Sequence, residues 1–161
     1  MGLFSKLFNG NTPKNFVSPM TGKVVRMEDI PDPVFSQKMM GGGCGIELTD
    51  GTVVAPFDAE VSASYPTGHA FVLKADEDGT EVLLHIGIDT VELEGDGFAT
   101  AVQTGDHVKQ GDVLVVVDLE KVRHAHKSLI SPIAFAGKDE VEVLKIGQNV
   151  VAGEKNLLNY K

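Results

Sequence analysis

Short apolar runs separated by clusters of Gly, Pro, Asn and Asp set the pattern of this chain. Runs of that length and composition predict strands. They fall at Phe16–Val17, Lys23–Arg26, Gly45–Leu48, Thr52–Pro56, Glu60–Ser64, Ala70–Ala75, Glu81–Ile88, Val113–Asp118, Ser131–Ala136 and Glu142–Lys145. Turn signals such as Asp50-Gly51 recur between them, so the expected fold is all-β. It would be an antiparallel β-sandwich or barrel, rich in hairpins, with one or two short helices. Leu119–Leu129 is the predicted helix, since Leu119, Val122, His126 and Leu129 fall near one stripe. Met1–Phe8 also has helical spacing, at Leu3, Phe4, Leu7 and Phe8, and runs into the linker Asn9–Pro13. Residues 1–15 are therefore expected to form a flexible amphipathic segment, with weak membrane contact through residues 1–8, and residues 16–161 one domain.

Phrases repeat along the chain. V-S-P-M-T-G-K-V, V-A-P-F-D-A-E-V and I-S-P-I-A-F-A-G open at Val17, Val54 and Ile130, and Gly105–Asp112 is echoed by Gly147–Glu154. The spacing is too loose for a solenoid. It predicts related strand–turn units that pair inside one sandwich.

The stretch Thr67–Thr90 concentrates the candidate chemistry. Ala70–Ala75 and Glu81–Ile88 flank Asp76-Glu77-Asp78-Gly79, the sequence form of a hairpin, with Gly79 supplying a positive φ. A three-residue loop sets Leu73 opposite Glu81, Phe71 opposite Leu83 and His69 opposite His85. Opposite Cβ atoms in such a pair lie about 4.5–5.5 Å apart on one face. A loop one residue longer would send the two histidines to opposite faces. Paired imidazoles on an apolar face admit three readings: rings satisfied structurally by backbone, half of a metal site with Asp89 as the obvious extra ligand, or a nucleophile with an electrostatic helper. In the third, a phosphoryl group on one ring would be steadied by an N–H of the other, whose tautomer the Thr67 hydroxyl could set.

Composition narrows the partners. Hydrophobic residues make up 42% of the 161 positions and the net charge is −9. The acidic balance disfavours nucleic acid and welcomes a basic protein. Cys44 is the one cysteine, which excludes a disulfide framework and fits a cytoplasmic setting. No base lies near it in sequence, and Gly41-Gly42-Gly43 lacks the ending of a phosphate loop. His107 sits in a polar turn, and His124 and His126 splay apart if their segment is helical.

At T-G-H-A-F, L-L-H-I-G-I-D-T-V-E-L, I-P-D-P-V-F-S-Q-K-M-M-G and E-G-D-G-F the sequence resembles the glucose-type IIA component of the bacterial phosphoenolpyruvate:sugar phosphotransferase system. The resemblance runs from about Phe16 to the C-terminus. It implies an antiparallel β-sandwich that takes a phosphoryl group from phospho-HPr and passes it to a cysteine on the IIB domain of a sugar permease, with no cofactor. By motif match His85 would be the phosphorylated residue and His69 the supporting histidine, with Thr67 hydrogen-bonded to it. Asp32 and Asp89 would meet basic partner groups, and Val34, Phe35, Phe71 and Val91 would form an apolar rim. Regulatory protein targets docking on the same patch are compatible with that role. Gly68, between Thr67 and His69, stands where the family often has a larger residue.

Two other classes share parts of the pattern. A lysostaphin-like zinc peptidase uses H-x-x-x-D and H-x-H, which His85…Asp89 and His124-Ala125-His126 imitate. A lipoyl or biotinyl carrier has turns like G-D-H-V-K-Q-G-D-V-L but needs a lysine at a hairpin tip, and Lys38-Met39 is not that motif.

Overall fold

The computed structural model describes residues 14–161, so the expected helix at Met1–Phe8 and its membrane contact lie outside the described residues. The strands in chain order are β1 (Gly22–Arg26), β2 (Gly42–Leu48), β3 (Thr52–Val54), β4 (Ala59–Ser64), β5 (Ala70–Ala75), β6 (Glu81–His85), β7 (Phe98–Thr100), β8 (His107–Val108), β9 (Val113–Val117), β10 (Ile130–Phe135), β11 (Glu142–Val143), β12 (Asn149–Val150) and β13 (Leu158–Asn159). An eight-stranded antiparallel sheet has the order β12-β1-β2-β10-β6-β5-β4-β8. A three-stranded sheet, β3-β9-β7, and the pair β11-β13 complete the fold. Phe16, Met20, Ile46, Phe71, Leu73, Leu84, Leu114 and Phe135 fill one continuous core among these sheets. An all-β antiparallel fold is what the short apolar runs predict.

Two of the three echoed phrases, those opening at Val17 and Val54, pair with the echoed turns. Ser18 exchanges backbone hydrogen bonds with Glu154 and Gly153, each 2.8 Å, and Ala55 does the same with Asp112 and Gly111, again 2.8 Å. Each acid also closes its own turn, Asp112 accepting from the Lys109 N–H and Glu154 from the Val151 N–H. One strand–turn unit is thus used twice, in corresponding places.

Several boundaries differ from expectation. The helix α2 spans Leu119–His124, with Asp118 accepting from the Glu120 and Lys121 N–H groups; it stops before Leu129 because His126 turns to φ 59, a left-handed stop. The last hairpin strand ends at His85, not Ile88, because Gly87 adopts φ 71. Phe16–Val17 forms only one isolated bridge, Val17 to Lys155. The two- and three-residue strands β7, β8, β12 and β13 are too short to show any alternation in sequence. The second short helix, α1 (Pro33–Ser36), falls where the sequence marks none; Asp32 caps it by accepting from the Val34 N–H at 2.9 Å, and proline opens it.

The segment around α1 positions the site. Met27, Ile30, Phe35, Ile88 and Ala134 make a small separate cluster, apart from the main core. It anchors Asp32, Val34 and Phe35 beside His85.

Candidate functional site

The β5–β6 hairpin has a loop one residue longer than predicted. Gly79 donates to the Ala75 carbonyl at 2.9 Å and Ala75 to that of Thr80 at 2.8 Å, so four residues turn the chain, with Gly79 at φ 74. The register moves accordingly: Ala70 pairs with His85, Phe71 with Leu84 and Lys74 with Glu81. By alternation alone the two histidines would now face opposite ways. They do not. Their ring centroids stand 5.3 Å apart at 77°.

The reconciliation lies in the turn before β5. Gly68 takes φ 75 and donates to the Tyr65 carbonyl at 2.8 Å, and a Cβ there would meet Thr100 Cγ2 at 2.7 Å and Phe98 Cβ at 3.1 Å. His69 follows as a bend residue outside the strand, although its carbonyl still accepts from the Ile86 N–H at 2.7 Å. Its ring is therefore free of strand alternation and lies beside His85. Glycine at position 68 allows a close approach that a larger residue would block.

Both rings are held at one nitrogen. Thr67 Oγ1 lies 2.5 Å from His69 Nδ1, and His85 Nδ1 lies 2.7 Å from the Gly87 carbonyl oxygen. A carbonyl only accepts, so His85 carries its proton on Nδ1 and presents the Nε2 lone pair. Neither Nε2 has a hydrogen-bond partner among the described residues. Burial lowers the His69 pKa below its ordinary value, and the neighbouring His85 lowers it further. Burial lowers that of His85 too, outweighing the Gly87 bond and the Asp32 and Asp89 carboxylates, which favour the charged ring. Two neutral imidazoles at neutral pH are the outcome.

These rings sit in a hollow of about 450 Å³ whose lining is mostly apolar: Val34, Phe35, Met40, Tyr65, Ala70, Val72 and Leu83, with Asp32 and Glu81 among its polar members. Phe35 packs 5.3 Å from His85 and Tyr65 packs 5.2 Å from His69, ring centre to ring centre. A larger hollow, about 710 Å³, lies near Lys138 and Tyr160 but contains no imidazole or thiol.

Of the expected site residues, His85, His69, Asp32, Val34 and Phe35 line the hollow, and Thr67 touches it through His69. Phe71 is a correction: it is 0% exposed, in the main core on the opposite face of the sheet, because the longer loop pairs it with inward-facing Leu84. Asp89 and Val91 are exposed on the turn beyond Gly87, outside the hollow. Tyr65, Met40, Val72 and Leu83 went unnamed in sequence. Counting back by two from His85 would have found Leu83, whereas nothing local marks Tyr65 or Met40.

Other candidates fall away. Burial pushes the Cys44 thiol up to about 12, far from a reactive thiolate. His124 and His126 stand at the end of α2 instead of on a strand, and among the described residues no group of three His, Cys, Asp or Glu is placed to hold a metal. Among the described residues no peptidase-like metal arrangement is found.

Comparison with known proteins matches the sequence and the fold to one family. The family model described as phosphoenolpyruvate-dependent sugar phosphotransferase system, EIIA 1, matches residues 14–141. A Staphylococcus epidermidis protein named PTS system glucose-specific EIIA component is 47% identical, over 98% of both chains. Its Staphylococcus aureus counterpart is 45% identical over the same shares. The solved structure of glucose permease IIA from Mycoplasma capricolum matches with a TM-score of 0.83 at 35% identity, covering 92% of this chain and 96% of that one.

Proposed function

The chain belongs to the EIIA 1 family of the phosphoenolpyruvate-dependent sugar phosphotransferase system, and from that premise we propose that it carries phosphoryl groups on His85. The donor is phospho-HPr and the acceptor is a cysteine on the IIB domain of a sugar permease, in the cytoplasm. Glucose-type sugars are the cargo of that permease, in keeping with the names of its relatives. A single observation carries the assignment to His85: its Nδ1 proton is committed to the Gly87 carbonyl, which leaves a neutral Nε2 lone pair in an apolar hollow.

The transfer balances simply. The Nε2 lone pair of His85 attacks phosphorus, a new P–N bond forms, and the donor's P–N bond breaks with its electron pair returning to the donor ring. The Thr67 hydroxyl donates to Nδ1 of His69 and so keeps the His69 proton on Nε2. That N–H can donate to the phosphoryl oxygens as charge builds on them. Val34, Phe35, Tyr65 and Val72 exclude water once a partner docks, which slows hydrolysis of the phosphohistidine. Asp32 and the exposed Asp89 offer carboxylates to a basic partner surface. Onward transfer repeats the steps with a cysteine thiolate attacking phosphorus and His85 leaving as neutral imidazole.

The test is incubation with labelled phosphoenolpyruvate, enzyme I and HPr. Acid-labile, base-stable label is expected on the wild type and none on His85→Ala. Label of the same stability on His85→Ala would reject the assignment.

A further inference from the structure

On the reading of His85 as phosphoryl acceptor, we infer that Thr90 and Ser131 are positioning residues for it, acting through Gly87. The Gly87 carbonyl receives the Nδ1 proton of His85, so the ring's tautomer and direction depend on where that carbonyl points. Both peptide units meeting at Gly87 are held. In the Ile86–Gly87 unit, the Thr90 hydroxyl donates to the Ile86 carbonyl at 2.5 Å and the Gly87 N–H donates to Ser131 Oγ at 2.9 Å. In the Gly87–Ile88 unit, the Ile88 N–H donates to the Ser128 carbonyl at 3.2 Å. Ser131 itself donates to the Leu129 carbonyl at 3.1 Å.

Buried hydroxyls generally find partners, so satisfaction alone would signify nothing. What sets this pair apart is convergence. Two side chains from different elements, the turn after Gly87 and strand β10, grip opposite ends of one peptide unit. Both are 0% exposed, and neither lines the hollow or touches the transferred group. The gripped residue is a glycine at φ 71, whose backbone has no side chain of its own to hold it. A Cβ there would meet Thr90 Cγ2 and the Ser128 carbonyl oxygen, each at 2.7 Å, so the clamp closes on bare backbone. Release of the clamp lets the Gly87 carbonyl swing away. The neutral imidazole of His85 then spreads its proton over both nitrogens, and the Nε2–H form has no lone pair for attack.

Full-length Thr90→Val keeps the shape and removes the hydroxyl, whereas Thr90→Ser keeps the hydroxyl; Ser131→Ala removes the second grip. Single-turnover acceptance from phospho-HPr separates the maximal rate from the donor concentration at half-rate. Thr90→Val should lower the maximal rate about tenfold, with the half-rate concentration moving less than about twofold, and Thr90→Ser should restore it. Nitrogen NMR of His85 should show its proton on Nδ1 in the wild type and shared between both nitrogens in Thr90→Val. A folded Thr90→Val that accepts phosphate at the wild-type rate overturns the role. So does a wild-type spectrum with the His85 proton on Nε2, a result that needs no variant to fold. Wild type that takes no label from active enzyme I and HPr overturns the phosphoryl reading itself, which is distinct from a slowed variant.

Discussion

Inward from the β5–β6 pair stand Phe71, Leu73, Val82 and Leu84, all 0% exposed and packed into the main core. Outward, one residue along, stand Ala70, Val72, Leu83 and His85, lining an open hollow. The backbone is shared, and the side chains on both sides are largely apolar. What differs is what covers them. The inner face is closed by the other strands, so its apolar surface contributes to stability. The outer face is only partly covered, by the cluster around α1, so the hollow over Val72, Leu83 and His85 stays open to a partner. Side-chain parity therefore sends one hairpin's residues to a folding face and a functional face, and the bend at Gly68 adds His69 to the second.

Breaking the inner face should have the largest effect. Phe71→Ala is expected to cost about 3–5 kcal/mol of unfolding free energy, read from the denaturant midpoint. The protein that remains folded should still accept label at close to the wild-type rate. Loss of labelling in that folded fraction would show that the two faces are not independent.

His69→Ala probes the outer face. Label should still be accepted on His85 but passed to the IIB cysteine roughly ten- to a hundredfold more slowly, since a donor to the developing charge is gone. Chase of pre-labelled protein with the IIB domain measures this on the folded fraction, and unfolding should also shift by about 0.5–3 kcal/mol, because the ring is 5% exposed and packs against Tyr65 and His85. An unchanged chase rate would strip His69 of its supporting role.

The smallest effect is on pH dependence. Burial lowers the folded pKa of both rings, whereas the unfolded chain takes protons near the ordinary value of about 6.5. Unfolding therefore binds protons as pH falls from there toward the folded values, and stability should decline over that interval and level off below it. Denaturant midpoints between pH 7.5 and 5.5 should fall more in the wild type than in a His69→Gln/His85→Gln double variant. Equal slopes would place the titrating groups elsewhere.

Much of this site is legible in the chain. The apolar runs, Gly79 and the H-I-G-I-D motif point to a hairpin carrying His85, and T-G-H marks a second imidazole near it. Parity was harder to read, because a loop of three or four residues fits the same polar cluster and one residue inverts every face. Phe71, which the resemblance sets on the rim, faces the core, where the four-residue loop pairs it with Leu84. His69 reached the correct place by a different route, a bend at Gly68 that alternation does not describe. Ser131 lies 44 positions from the Gly87 N–H it accepts, and Tyr65 and Met40 join the hollow from separate turns.

Local order along the chain is enough to determine which segments become strands and which residue types can do phosphoryl chemistry, since turn chemistry and side-chain reactivity are local properties. Which ring meets which, which face stays open and that Ser131 joins Thr90 in holding Gly87 were decided by long-range pairing. Those choices depend on strand register and on what packs over each face, and both are settled only when the sheets close on one another.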